Sequence, residues 1–121
     1  MLYGYGSDRA VFIQDALQKI LGREIAIIGA SGREDHTVKE IIEGSSPGRH
    51  EDGDIHILMF LGFSDTETSR AIDHFPRRDD IVLPIFCGLT EENYRWELSY
   101  LLEHLAEEHT RWMERSRRNE K

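Results

Sequence analysis

The sequence predicts an α/β protein with a four-stranded parallel sheet and a long C-terminal helix. Strand-like apolar runs alternate with amphipathic helical stretches, and this β-α-β-α order is typical of parallel sheets with helical crossovers. The order also occurs twice, because Ser7 and Ser64 each follow a glycine-containing turn at an offset of roughly 57 residues. A length of 121 residues fits one domain, residues 1–121, built from two βαβα pseudo-repeats.

The first pseudo-repeat covers residues 1–44. Ser7 is predicted to cap the first helix, whose apolar residues recur at helical spacing until Gly22 stops it. The predicted elements are, in order, strand Leu2–Tyr3, the helix between Ser7 and Gly22, strand Ile25–Ile28 and a short helix over Asp35–Ile42.

The second pseudo-repeat covers residues 55–115, after a polar segment with glycine and proline, 43–54, that is predicted to be a loop. Ser64 with Glu67 predicts a capping box, and Pro84 places its strand at a sheet edge because proline lacks a ladder donor. The predicted elements are strand Ile55–Leu61, a helix from Ser64 to Pro76, strand Ile81–Phe86 and a long helix Thr90–Arg115.

A pseudo-twofold relation between the halves predicts the strand order 2-1-3-4, with strands 1 and 3 in the centre. In a parallel sheet, the turns after these two strands would open onto one crevice at the carboxyl ends. The residues predicted to line this crevice are Tyr5, Ser7, Phe63 and Ser64. A small-molecule-binding protein or enzyme using the crevice is therefore the second functional hypothesis.

The turn after the second strand looks like a dinucleotide-binding turn. Gly29 and Gly32 match two of the three required glycines, but Asp35 stands at the third position. Glu34 and Asp35 would also lie beside the pyrophosphate and repel it more strongly than the helix dipole attracts it. The sequence therefore predicts no dinucleotide and no other cofactor.

A group of motif residues lies before and after the last predicted strand. The motif consists of Gly62 after the preceding strand and then Leu89, Thr90, Asn93 and Trp96, followed by a leucine-rich helix that ends in Glu108-His109. From about residue 56 to 112 the chain resembles the uncharacterised family DUF3783, although Glu91 replaces the proline of typical members. The resemblance implies no activity and no catalytic residue.

The motif threonine and asparagine also have a structural interpretation. Thr90 at an N-cap accepts a backbone amide, and Asn93 returns a bond to the cap, as in a variant capping box. A ligand-binding role for Asn93 is the alternative.

The long helix carries aromatic residues outside its apolar stripe. Trp96 and Tyr100 fall one turn apart on the other side and require cover from another segment or another chain. At 1.5 Å per residue the helix would be about 39 Å long, so Trp112 and Met113 should project beyond the sheet. These four residues predict an interface, either homo-oligomeric or with another protein.

The leading hypothesis is a non-enzymatic interaction or regulatory module, dimeric through this helix.

Charge and composition exclude several classes of partner. A net charge of -8 disfavours nucleic acid, and the longest apolar stretch, Ile57–Leu61, is too short for a membrane span. Cys87 is the single cysteine, so the sequence predicts a reducing, cytoplasmic environment. No neighbouring sequence marks a base that would activate Cys87 as a nucleophile.

An acidic, histidine-containing loop offers oxygen and nitrogen ligands. Zinc sites usually place histidine and cysteine at defined spacing on rigid elements, which this loop does not provide, so no metal is predicted. Metal-dependent behaviour is kept as a third, weaker hypothesis for His50, Glu51, Asp52, Asp54 and His56.

Overall fold

The structure is a computed structural model that describes residues 1–44 and 48–119, with side chains in the last helix described to Arg111. The described residues form four α-helices and five short strands, in an order that alternates except where the fourth strand follows the third directly. They are β1 Leu2–Tyr3, α1 Ser7–Leu21, β2 Gly29–Ala30, α2 Val38–Glu43, β3 Gly48–Arg49, β4 Ile57–Phe60, α3 Asp65–Asp73, β5 Ile85–Gly88, a 3-10 turn Asn93–Arg95, and α4 Leu98–Asn119.

The described strands form one mixed sheet in the order β3-β2-β1-β4-β5. β1, β2 and β3 are parallel, as are β4 and β5, but β1 and β4 are antiparallel, with Leu2 opposite Leu58. The prediction of four parallel strands is therefore wrong, although the four predicted strands keep their relative order 2-1-3-4. The reason is geometric. A twofold axis perpendicular to the sheet turns one central strand into its neighbour by a half-turn, so these two strands must run in opposite directions.

The polar segment 43–54 is not only a loop, because it contributes the edge strand β3. Gly48 has φ 84°, and a Cβ there would lie 1.9 Å from the carbonyl oxygen of Gly29. A Cβ on Gly29 would in turn lie 2.3 Å from the carbonyl oxygen of Arg49. Glycines on both strands thus permit a close backbone pairing that leaves no hydrophobic pattern in the sequence.

The sheet separates two hydrophobic clusters. Successive side chains of β4 alternate between its faces, so Leu58 and Phe60 pack with α1 and α3. Ile57 and Met59 pack on the other face with α2 and α4. Each fully buried aliphatic side chain contributes roughly 1.5–3 kcal/mol. The result is a three-layer α/β/α arrangement in which α1 corresponds to α3 and α2 to α4, as a twofold axis normal to the sheet requires.

Two strands lie later in the chain than predicted. Ile25 is buried, but its backbone bonds to α1 side chains: Gln14 Nε2 donates to its carbonyl at 2.7 Å, and its amide donates to Gln18 Oε1 at 3.2 Å. β2 therefore begins only at Gly29. Similarly, the carbonyl of Val82 accepts the Tyr5 hydroxyl, and β5 begins at Ile85 rather than at residue 81.

The helix caps agree with the sequence in part. Ser64 and Glu67 form the predicted capping box, and Gly22 ends α1 in the left-handed conformation. Ser7, however, is the first helical residue, and Gly6 is the N-cap without a side-chain bond. A capping box of Thr37 with Glu40 starts α2 at Val38, later than predicted.

The predicted helix Thr90–Arg115 is divided in two. Thr90 precedes the 3-10 turn, and Trp96 has extended backbone angles, φ -77° and ψ 148°. The carbonyl of Trp96 accepts from Val38 N at 2.9 Å, and Leu98 N donates to the carbonyl of His36 at 2.8 Å. Because these long-range bonds require extended backbone, α4 starts only at Leu98 and continues to Asn119.

Gly4 and Gly62 occupy corresponding turns in the two halves and give a matched test of this fold. Both have positive φ, 95° and 74°, but a Cβ on Gly4 would lie 2.0 Å from the Ile55 carbonyl oxygen, whereas a Cβ on Gly62 meets nothing within 4 Å. Gly62→Ala should lower the free energy of unfolding by about 1 kcal/mol, from backbone strain alone. Gly4→Ala should lower it by roughly 3 kcal/mol or more, because the clash adds to the strain.

Urea denaturation of the two variants measures the difference. Equal losses for Gly4→Ala and Gly62→Ala would contradict the tight contact between residues 4 and 55.

Candidate functional site

The two predicted crevice turns lie at opposite edges of the sheet, because β1 and β4 are antiparallel. Tyr5 is 1% exposed, its ring lies 4.8 Å from that of His56, and its hydroxyl donates to the Val82 carbonyl. Burial raises the pKa of Tyr5 well above its ordinary value. Phe63 instead packs at 5.4 Å from Phe60 at the other edge. The prediction of a shared crevice with Ser7 and Ser64 is therefore wrong.

The carboxyl edge of β1 is covered by the chain itself. Gly53 N donates to the Gly4 carbonyl at 3.0 Å, and Asp52 Oδ1 accepts from Gly6 N at 2.9 Å. Arg9 pairs with the same carboxylate at 3.1 Å. A carboxylate thus occupies the amino end of α1, where a parallel α/β protein would receive an anion. The sequence did not predict this contact of Asp52, because the two segments are 46 residues apart.

The glycine turn after β2 is organised around Glu34. Its Oε1 accepts from Gly32 N at 3.3 Å and from the Tyr3 hydroxyl at 2.8 Å. The Tyr3 hydrogen bond is the main reason that the pKa of Glu34 is lowered, while burial raises the pKa of Tyr3 to about 12. The Gly32 amide, which would bind a phosphate in a dinucleotide-binding turn, therefore already donates to the Glu34 carboxylate.

The residues of the acidic loop are dispersed among structural contacts. Glu51 pairs with Arg49 at 2.8 Å and its amide donates to Ser31 Oγ at 3.1 Å. Burial lowers the pKa of both His50 and His56. Among the described residues, no three histidine, cysteine or carboxylate groups lie close enough together to hold a metal ion.

Two of the family-motif residues, Thr90 and Asn93, bond to each other after the carboxyl end of β5. Asn93 is 8% exposed, and its side chain and backbone N–H make three hydrogen bonds. Its Oδ1 accepts from Thr90 N at 2.8 Å, its amide N donates to Thr90 Oγ1 at 3.0 Å, and its Nδ2 donates to the Gly88 carbonyl at 3.0 Å. The two bonds predicted between Thr90 and Asn93 are confirmed, whereas the bond to Gly88 was not predicted. The motif polar groups therefore hold the loop after β5 in place.

A buried amine lies behind this edge. The α-amino group of Met1 donates to the Met59 carbonyl at 2.9 Å. Burial lowers the pKa of this amine to about 6, with the nearby Cys87 thiol acting in the opposite direction. Burial also raises the pKa of Cys87 to about 11, so this thiol is protonated at neutral pH. A protonated thiol is a poor nucleophile.

The most accessible aromatic feature is a ladder at the start of α4, formed by Trp96, Tyr100 and His104. The Trp96 ring lies 4.8 Å from that of Tyr100 and 5.1 Å from that of His104, in edge-to-face geometry. Trp96 is half-buried against the core, but 53% of Tyr100 is exposed. His104 also pairs with Glu108 at 3.0 Å. The structure thus brings together two of the four predicted interface residues, while the side chains of Trp112 and Met113 lie outside the described residues.

A groove lies on the other flank of α4. It encloses about 230 Å³, and the exposed side chains of Val82 and Leu83 stand at its rim. Its lining consists of Asp54, Ile55, His56, Val82, Leu83, Ile85, Ala106, His109 and Thr110. The sequence did not predict this groove, because Val82 and Leu83 read as part of a buried strand.

The fold and these surfaces define a small three-layer α/β protein with a long, partly uncovered C-terminal helix. Residues 56–112 match the family model described as Domain of unknown function (DUF3783), which confirms the resemblance predicted from the motif. The matched segment contains β4, α3, β5 and the described side chains of α4.

No curated protein and no solved structure matches the chain. Among the described residues, no helix combines the length and apolar character needed to cross a bilayer. The function of the protein is unknown, in agreement with the description of the family.

The buried Met1 amine predicts a pH dependence of stability. Its pKa falls from 8.0 in the unfolded chain to about 6 in the folded protein, so the unfolded state binds more protons between these values. Stability is therefore complete above pH 8 and is lost as the pH falls toward 6, by roughly 2–3 kcal/mol.

Urea denaturation at pH 5.5 and 8.5 measures this change. The chain acetylated at Met1 is the control, since it cannot be protonated there and should lose the largest part of the pH dependence. His50 and His56 contribute in the same direction and remain in the control. An identical pH dependence with and without the acetyl group would contradict the shifted amine.

Replacement of Asn93 tests whether the motif is structural. Asn93→Asp retains the acceptor for Thr90 N but removes the Nδ2 donor and sets a carboxylate beside the Gly88 carbonyl. We expect a loss of about 2 kcal/mol in the free energy of unfolding. Ser64→Ala, which removes the exposed capping box of α3, should cost about 1 kcal/mol. Denaturation curves showing a smaller effect at Asn93 than at Ser64 would contradict this interpretation.

Proposed function

We propose that this protein is a non-enzymatic interaction module that forms a homodimer through α4. The observation that carries the proposal is the aromatic ladder of Trp96, Tyr100 and His104, which leaves 53% of Tyr100 exposed. Aromatic residues are enriched in protein interfaces, because they bury a large area at low cost in side-chain entropy. A ladder of three rings at the surface is the kind of patch that a partner covers.

The length of α4 supports the same proposal. Its 22 residues extend about 33 Å, whereas the four residues of β4 extend about 13 Å. Leu98, Leu101 and Leu102 are buried against the sheet, but every residue from 107 to 111 is exposed. Residues 107 to 111 of the helix are therefore accessible to a partner.

The polar side chains in the loops that are possible sites already form hydrogen bonds within the chain. Asp52 bonds to the amino end of α1, Glu34 to Tyr3 and Gly32, and Asn93 to Thr90 and Gly88. The raised pKa of Cys87 keeps its thiol protonated. These contacts support a non-enzymatic role, since each candidate group already has a structural function.

The unpaired, partly buried Cys87 supports an assignment to the cytoplasm, where thiols stay reduced. The acidic charge of -8 supports a protein partner rather than nucleic acid.

Sedimentation equilibrium across micromolar concentrations tests the proposed dimer. Tyr100→Ala should weaken self-association by about tenfold, because truncation of a well-packed interface aromatic commonly costs more than about 1 kcal/mol. Val11→Ala on α1 is the matched control, since Val11 is similarly exposed at 58% and lies outside the ladder. This control should leave the association constant unchanged.

A wild-type protein that remains monomeric throughout the micromolar range would contradict the homodimer, as would equal effects of the Tyr100 and Val11 variants.

A further inference from the structure

Charge is segregated along the last helix. Between residues 97 and 108 the sequence has four glutamates and no lysine or arginine: Glu97, Glu103, Glu107 and Glu108. Between residues 109 and 121 it has five basic residues against two acidic ones: Arg111, Arg115, Arg117, Arg118 and Lys121 against Glu114 and Glu120. The change of sign falls near the middle of α4, which spans Leu98–Asn119.

The charged residues continue the stripe that begins with the aromatic ladder. Steps of three and four residues lead from Tyr100 to Glu103, Glu107 and Arg111, so these residues share one face of the helix. All four are exposed in the structure. The sequence continues the same spacing with Arg115 and Arg118, within the helical backbone of α4.

From this pattern we infer that α4 packs against α4 of a second copy in antiparallel orientation, with the twofold axis near residue 109. The inference rests on the proposed homodimer and specifies its geometry. Glu107 of each copy then meets Arg111 of the other, and the acidic half of each α4 lies along the basic half of its copy. The surface is therefore complementary to itself in charge.

The opposite orientation is disfavoured by the same charges. In a parallel pair the glutamate half of α4 faces the glutamate half of its copy, and arginines face arginines. Like charges facing each other across an interface are destabilising. The antiparallel orientation also opposes the two helix dipoles, which is favourable at close approach. Charge therefore specifies both the partner and its direction.

Charge exchange between two described residues tests this geometry. Glu107→Arg and Arg111→Glu should each weaken self-association by on the order of tenfold at low salt, because each turns two symmetry-related attractions into repulsions. The double variant should recover wild-type affinity, since it restores opposite charges between position 107 of one copy and position 111 of the other. In a parallel dimer the single variants would cause no such loss.

A mixture of the two single variants separates contacts between chains from contacts within the helix. One variant carries arginine at both positions and the other carries glutamate at both, so the two should associate with each other more tightly than either does alone. Fluorescence-detected sedimentation with one labelled variant measures this preference. High salt should reduce it, because the pairs are exposed.

The matched control exchanges Asp15 and Lys19, an exposed acid–base pair with the same i,i+4 spacing on α1. Its single and double variants should leave self-association unchanged. Circular dichroism checks that α4 remains folded in every variant, which is expected because residues 107 and 111 are exposed.

The outcomes distinguish a failure of the homodimer from a failure of the antiparallel pairing. A monomeric wild-type protein overturns the homodimer itself. A wild-type dimer whose affinity does not respond to the Glu107 and Arg111 exchanges, or whose double variant stays weak, leaves the dimer in place and overturns the antiparallel pairing.

Discussion

The antiparallel pairing of β1 with β4 at the centre of the sheet determines how the molecule is organised. Met59 N donates to the Met1 carbonyl at 2.8 Å, and Leu2 lies opposite Leu58 with both side chains in the same buried cluster. This pair joins two parallel units of opposite direction. The carboxyl ends of the two units therefore lie at opposite edges, and each edge is completed by its own loops rather than by a common cleft.

Each edge uses its polar residues to hold those loops. Asp52 fixes the segment after β3 to the amino end of α1, while Asn93 fixes the segment after β5 to the Gly88 carbonyl. The bond from Asn93 is the costly one to break, because a partly buried group left without its hydrogen bond stays desolvated. The bonds to Asp52 are exposed to solvent and contribute less. Polar residues that suggest chemistry in the sequence thus take part in holding these loops.

The sequence predicts the features that local contacts decide. The Ser64–Glu67 capping box, the Gly22 stop and the Thr90–Asn93 bonds involve residues within four positions of each other or a single backbone conformation. The sequence does not predict the features that depend on contacts between distant segments. α4 begins late because residues 96–98 bond to residues 36–38, and Tyr5 is buried because a carbonyl 77 residues away accepts its hydroxyl. Strand direction and the glycine-only pairing of β3 belong to the same class, since neither leaves a periodic hydrophobic signal.

The composition of α4 then follows from its position. Where the helix covers the sheet it carries leucines, and beyond Leu105 it carries charge on the exposed face. An apolar face of the same length would associate without preference for partner or direction, whereas segregated charge penalises every arrangement that brings like halves together. A helix that extends past its own core can in this way stay exposed in the monomer and still select one orientation of one partner. The ring of Tyr100 supplies buried area near each end of such a pair, and the charges between the two rings set its register.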